Sequence, residues 1–274
     1  AHKNSKEDFK DIECFAQDLA CMAQKAIEFG INKLEFYATN LDFFQTPDEL
    51  AHCLRSIAAV KDKYQVEIKL RALACVNSFL DAVKALPDLD ELLKGAGFWC
   101  VGFGVDGPNK EIWKLLQKGQ NKEGDIPLAL AKTAEMGLTA EVLMIMGDRN
   151  YDLRLLIKTI HVCYGYVIDY DHTVIRLHVS KVLCGSKEWF DPIYTDKLIA
   201  KPTLFDQLDV LALASKATHP DTKQRRQVNL AYLAIMIPLR IVKRCVSSTI
   251  LPQGERGVRG NIAKLLNPFM PYDR

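Results

Sequence analysis

Between Gly95 and Gly147 the sequence twice runs an apolar stretch into a polar turn and then into a helical pattern, and that repetition narrows the possible folds sharply. The first unit reads Gly-Ala-Gly-Phe-Trp-Cys-Val-Gly-Phe-Gly-Val-Asp-Gly-Pro-Asn from Gly95 to Asn109 and leads into Glu111-Ile-Trp-Lys-Leu-Leu. The second, Leu138 to Gly147, reads Leu-Thr-Ala-Glu-Val-Leu-Met-Ile-Met-Gly, with Asp148-Arg149-Asn150 and another helical stretch after it. A strand in a parallel sheet is buried on both faces and needs a crossover helix to return, so it appears as a short apolar run followed by helical spacing. Two such units in tandem predict an α/β fold, either a βα barrel or a doubly wound sheet. In both, the ligand lies at the carboxyl ends of the strands.

The flanking sequence follows the same plan. Ala1 to Asp8 is polar and reads as a linker or frayed start. Ile12, Phe15, Leu19, Met22, Ala23, Ala26 and Ile27 recur at helical spacing, and Gly30 stops that helix. Lys33 to Ala38 alternates like a strand and opens into the polar tip Thr39-Asn40-Leu-Asp42. Thr46-Pro47-Asp48-Glu49 then supplies an N-cap, a proline at the first helical position and acids in the first turn. Val66 to Val76 is a strand, and Phe79 to Lys94 a helix that Pro87 should interrupt and Asp88 restart. Leu153 to Val162 is helical and Thr173 to Val179 a strand, giving about five strands in alternation with helices.

Beyond Val182 the pattern changes. Leu204 to Ala217 and Gln227 to Val246 read as two long helices, the second apolar almost all round and therefore expected to be buried against the flank of the fold. The expected division is residues 1–182 as a partial barrel and 183–274 as a helical extension packed on it. The formal net charge is only +2. The stretch from Ser215 onward is nonetheless basic, with Lys216, Lys223, Arg225, Arg226, Arg240, Lys243, Arg244, Arg256, Arg259, Lys264 and Arg274 against Asp221, Glu255 and Asp273. Such a segment is either a solvated surface or a holder of an anionic partner such as RNA.

The chain has eight cysteines, no C-x-x-C pair, no secretory signal and no uncharged apolar run long enough to span a bilayer. Scattered thiols inside apolar runs point to small buried side chains in a reducing, cytoplasmic setting.

Several motifs taken together resemble the second half of a radical S-adenosylmethionine (SAM) core. They are Gly102-Phe-Gly-Val-Asp-Gly, Trp113, Lys118-Gly-Gln-Asn121, Ala131-Lys-Thr-Ala-Glu-Met-Gly137 and Val142-Leu-Met-Ile-Met-Gly147. The resemblance implies a partial (β/α) barrel of about five parallel strands. It also implies an enzyme that reductively cleaves SAM at a [4Fe-4S] cluster to a 5'-deoxyadenosyl radical, which abstracts hydrogen from a substrate. It further implies that Asp106 would accept the ribose hydroxyls, Arg71 would pair with the SAM carboxylate, and Gly147 would let the backbone pass the adenine. Asn40 falls where the second-strand motif receives the SAM amino group, although the usual Gly-Gly-Glu is not there, and Arg149 is a further candidate beside Gly147. Each has a plainer reading: a turn aspartate before Gly107, a structural ion pair for Arg71, and a turn glycine at Gly147.

The family's C-x3-C-x2-C cluster motif, whose three thiolates leave one iron open to SAM, does not occur. Cys14 and Cys21 have its outer spacing around Asp18, but on a predicted helix, where two buried thiols account for them. Because the first helix here matches the one that follows the cluster loop in the family, the expectation is a fragment inactive alone, or a paralogue without the cluster. The alternative from a different class is a binding or scaffold module working through the basic C-terminal segment. His172 and His178, six apart on an expected strand, lack a third ligand for zinc. Gly254 to Gly260 lacks the Lys-Ser/Thr of a phosphate loop.

Overall fold

The computed structural model describes residues 12–38, 42–116, 121–147, 151–180 and 222–250. Along the chain these form α1 (Ile12–Glu28), β1 (Lys33–Ala38), α2 (Pro47–Tyr64), β2 (Glu67–Ala74), α3 (Val76–Ala85), α4 (Leu89–Gly95), β3 (Phe98–Gly104), α5 (Lys110–Leu115), α6 (Asp125–Glu135), β4 (Thr139–Met146), α7 (Leu153–Asp169), β5 (Thr173–Val179) and α8 (Thr222–Ile250). The five strands are parallel and lie in one sheet in the order β1-β2-β3-β4-β5. A doubly wound sheet reverses somewhere in its strand order and places helices on both faces. Here every strand sits beside the next one in sequence, and right-handed crossovers then put successive helices on the same face. Of the two folds left open by the sequence, the winding is that of a partial barrel.

The chain divides into two compact units, Ala1–Leu143 with Tyr170–Arg176, and Met144–Asp169 with Leu177–Arg274. In the first, period-2 alternation sorts the side chains of β2: Ile68, Leu70, Ala72 and Ala74 are buried, while Glu67, Lys69, Arg71 and Leu73 are less so. Register carries this across the sheet, pairing Tyr37 with Arg71, Leu73 with Gly102 and Gly102 with Glu141. The buried face ends in an aromatic cluster, Phe43, Phe44, Phe79, Phe98 and Phe103, packed edge-on or tilted at centroid distances of 5.2–6.0 Å. The opposite face carries Lys33, Glu35, Tyr37, Lys69, Arg71, Glu141 and Arg176 beside Leu73, Cys100 and Leu143.

Two irregularities shape β3. The register slips between Leu70 and Arg71, which pair with Phe98 and Cys100, so Trp99 is the extra residue of a bulge. Just before it, Gly97 takes φ +82°, and an added Cβ would lie 1.9 Å from the Ile68 carbonyl oxygen. Only glycine permits that approach. The helix boundaries follow the expected signals: Pro47 opens α2, Gly30 follows α1 at φ +71°, and the segment around Pro87 separates α3 from α4. Thr46, however, occupies the N-cap of α2 without making a side-chain capping bond.

In the second unit, the Tyr151 hydroxyl donates to the Ile145 carbonyl at 2.9 Å and the Ser180 amide to the Met146 carbonyl at 2.7 Å. Gly147 has φ +83°, and the place a Cβ would take lies 2.4 Å from Val228 Cγ1, so α8 packs directly on that turn. Pro238 interrupts the hydrogen-bond ladder of α8 because it has no N–H to give to the Ala234 carbonyl. The Tyr164 hydroxyl of α7 donates to that same oxygen at 3.0 Å and makes good the loss. This last helix, read from the sequence as apolar almost all round, buries Val228, Ala231 and Ile235 and leaves Leu230, Leu233 and Ile237 exposed. Apolar residues on both faces of a helix are not matched here by neighbours on both faces. The expected helix Leu204 to Ala217 lies outside the described residues.

Candidate functional site

At the carboxyl end of β3 the chain makes a turn braced from several directions. Asp106 stands in the left-handed region at φ +59°, which aspartate tolerates better than most residues with a Cβ. The Val105 and Asp106 amides both donate to the Leu143 carbonyl, at 3.1 and 3.0 Å. The amide nitrogen of buried Asn121 donates to the Val105 carbonyl at 3.1 Å and lies 3.5 Å from the Gly104 carbonyl. The Trp113 indole N–H donates to the Gly107 carbonyl at 3.0 Å, and Asn109 caps α5 by accepting from the Ile112 amide at 3.1 Å. At Gly107 an added Cβ would lie 2.4 Å from Ile112 Cγ2, which leaves the loop no slack against α5. Asp106 Oδ2 lies 3.6 Å from the Cβ position of Gly104, so its carboxylate is turned back over the bare end of the strand.

A second strand-end loop is tied down by Asp42. Its carboxylate accepts from the Ser78 hydroxyl at 2.5 Å and from the Cys75 amide at 3.2 Å, joining the segment after β1 to the start of α3.

Lower on the same face as Gly104, Glu141 lies buried between two guanidinium groups. Arg71 Nη2 is 2.5 Å from Glu141 Oε2, an approach too bent to count as a directed hydrogen bond, and Arg176 Nε donates to Glu141 Oε1. The Arg71 guanidinium also stacks on the Tyr37 ring at 4.8 Å. Arg71 pairs in register with Cys100, four residues before Gly104, which puts its backbone about 13 Å below the end of β3 at the rise of a strand. The plainer reading of Arg71 as one half of an ion pair is therefore seen directly.

Of the remaining sequence candidates, Gly147 has a positive φ as a turn glycine does, and Val228 fills the space beside it. Asn40 and Arg149 lie outside the described residues, as do Gly254 to Gly260, while of the basic residues after Ser215, Lys223, Arg225, Arg226, Arg240, Lys243 and Arg244 fall on α8. β5 has the bounds expected from the sequence, Thr173–Val179, and His172 lies just before it at φ +58°, so it does not share the strand with His178.

Cys14 and Cys21 are corrected from buried to exposed thiols on α1. Cys53, Cys100 and Cys163 are buried as small apolar groups should be, and burial pushes the Cys53 thiol up to about 11 and the Cys163 thiol up to about 12. No group of three His, Cys, Asp or Glu side chains suited to a metal ion exists among the described residues. Cys14 and Cys21 offer two thiolates on α1, one fewer than the three of the family's cluster loop. The described residues therefore do not fit a [4Fe-4S] cluster, while the strand-end turn at Asp106 has the composition to meet a sugar hydroxyl. Sequence reading missed Glu141, Arg176, Asp42 and the bracing role of Asn121. Asn121 does stand within one of the motifs, but nothing in the sequence says which carbonyl it reaches.

No family model matches the chain, and no curated protein matches its sequence. Among solved structures, the cobalamin-dependent S-adenosylmethionine radical enzyme OxsB with aqua-cobalamin bound aligns at a TM-score of 0.57 and 13% identity, covering 92% of this chain and 41% of that one. OxsB with aqua-cobalamin and S-adenosylmethionine bound gives 0.51 and 15%, covering 93% and 40%. A looser likeness, TM-score 0.47 at 14% identity, is to the archaeal Methanocaldococcus infernus Elp3 with an N-terminal deletion, covering 73% of this chain and 49% of that one. The chain thus spans about two fifths of the OxsB chain it resembles. No helix among the described residues is long and apolar enough to cross a membrane. With consecutive parallel strands and that likeness, the chain has the fold of a radical SAM enzyme's partial barrel.

Proposed function

We propose that this chain supplies the SAM-holding strands of a radical SAM-type enzyme and does not by itself form the radical. The observation that carries the reading is the fold likeness to OxsB over 92% of the chain, together with an aspartate fixed at a strand end. Asp106 is the ribose contact: a carboxylate accepts both hydroxyls of a vicinal diol without competing donors of its own. By the same resemblance Gly147 and Arg149 would correspond to the family's adenine motif, and Asn40, like Arg149 outside the described residues, to the position that receives the amino group of the methionine end. Arg71 meets its carboxylate from below, its guanidinium anchored by Glu141 on one side and Tyr37 on the other. When complete, an enzyme of this class takes its radical chemistry from the cofactors; the protein's share is to bind, orient and exclude water.

The test is calorimetry of SAM with the full chain and with Asp106→Ala. Losing hydrogen bonds to a charged acceptor should weaken binding by about tenfold or more. Equal affinity in the two proteins would remove Asp106 from the site. No heat in either would remove the SAM-holding role.

A further inference from the structure

We infer that Asn121 is the positioning residue that sets recognition of the ligand's diol, and that it does so through the backbone leading into Asp106 without touching the ligand. The inference rests on the ribose reading of Asp106. A carboxylate can meet two adjacent hydroxyls only if its Cα and χ1 are fixed, and a residue with a Cβ at φ +59° returns to the ordinary region unless its neighbours prevent it. The two peptide planes that lead into Asp106, Gly104–Val105 and Val105–Asp106, are the means. Their amide donors converge on one oxygen, that of Leu143 on the neighbouring strand. On their carbonyl side the Asn121 carboxamide reaches back from just before α6 to the oxygens of Val105 and Gly104.

Asn121 is 6% exposed, and its bond to Val105 ties the β3 turn to the α6 side of the unit. A purely structural bond needs no particular partner at residue 106. What Asn121 fixes is the peptide that turns the Asp106 side chain back over Gly104, where a Cβ would stand 3.6 Å from its oxygen. Trp113 and Asn109 brace the far side of the turn, beyond Gly107, and so secure α5 more than the carboxylate.

The test compares S-adenosylhomocysteine with its 2'-deoxy counterpart by calorimetry in the full chain. If Asp106 reads the diol, removing one hydroxyl should weaken binding about tenfold in the natural protein. In Asn121→Ala the two ligands should bind within about twofold of each other, and the same should hold for Asn121→Asp, whose carboxylate has the shape but cannot donate to a carbonyl. Asn109→Ala, which loosens the turn without touching the Gly104 and Val105 carbonyls, should keep the preference. Thermal unfolding of each variant shows that it is folded at the temperature of the titration.

A preserved preference in both Asn121 variants overturns the inference and leaves the ribose reading standing, as does a preference lost equally in Asn109→Ala. A natural protein that fails to tell the two ligands apart overturns the ribose reading itself, and the role of Asn121 with it.

Discussion

Glu141 shows how one residue differs in consequence from the many charges around it. Its side chain is 3% exposed and faces two arginines, whereas Lys25 and Glu28 pair at 2.8 Å with side chains 63% and 47% exposed. Removing one member of a buried ionic group strands the others, so Glu141→Gln should cost about 3 kcal/mol in urea unfolding. Lys25→Ala should stay within about 0.5 kcal/mol, because water screens that pair in either state. The thiols divide in the same way. Cys14 and Cys21 should react with a maleimide within minutes at neutral pH, and Cys53 and Cys163 only on unfolding. The two buried thiols also give stability a direction with pH. Their folded values lie above the ordinary value of 9.0, at about 11 and about 12, so the unfolded state loses its protons first. Stability should be unaffected by them below pH 9 and fall as the pH rises through that range; a flat denaturation midpoint between pH 9 and 11 would contradict this. Part of this was legible in the sequence: thiols inside apolar runs read as buried, as Cys53 and Cys163 are, and an ion pair was one reading of Arg71, whereas the exposure of Cys14 and Cys21 and the partners of Glu141 were not. Spacing placed Arg71 on a strand and Cys14 on a helix, but partners such as Glu141 and Arg176 lie 70 and 105 residues away from Arg71, and no local pattern encodes them.

At the scale of elements the sequence was far more readable. All five strands and the break around Pro87 follow from apolar runs, proline and glycine, because these signals act within a few residues. What it could not supply was tertiary: the bulge at Trp99, the extra turns of α7, and the exposed face of α8. The bulge depends on Gly97, and here glycines can be ranked. Gly97→Ala should destabilise the protein by more than about 2 kcal/mol, since both the left-handed backbone and a backbone carbonyl oppose the methyl group. Gly124→Ala meets nothing within 4 Å and has an ordinary φ of −76°, so it should be neutral or slightly stabilising in thermal melts. A similar loss at both positions would mean that the close approach at Gly97 relaxes. The aspartate of the β3 turn stands in a recognisable motif, while the carboxamide that holds it is brought there by the tertiary fold. Motifs mark ends of strands, and bracing comes from wherever the chain returns.

At the scale of the molecule, the likeness to OxsB and the lack of a cluster ligand set among the described residues pull in different directions, and iron content decides between them. After anaerobic iron–sulfur reconstitution and desalting, the chain should retain no stoichiometric iron and show no broad visible absorption from a cluster. Replacing Cys14 and Cys21 with Ser should change nothing. Retained iron that disappears in that double variant would mean that the two exposed thiols are ligands after all. The strand order bears on how the protein is made. Because each strand pairs with the one just synthesised, no pairing in the sheet waits for a distant part of the chain, and the loops to be closed are those of single βα units. A sheet of this kind can be laid down from β1 toward β5 as the polypeptide leaves the ribosome. At each stage the growing edge is the newest strand, and the next strand to emerge is the one that pairs with it.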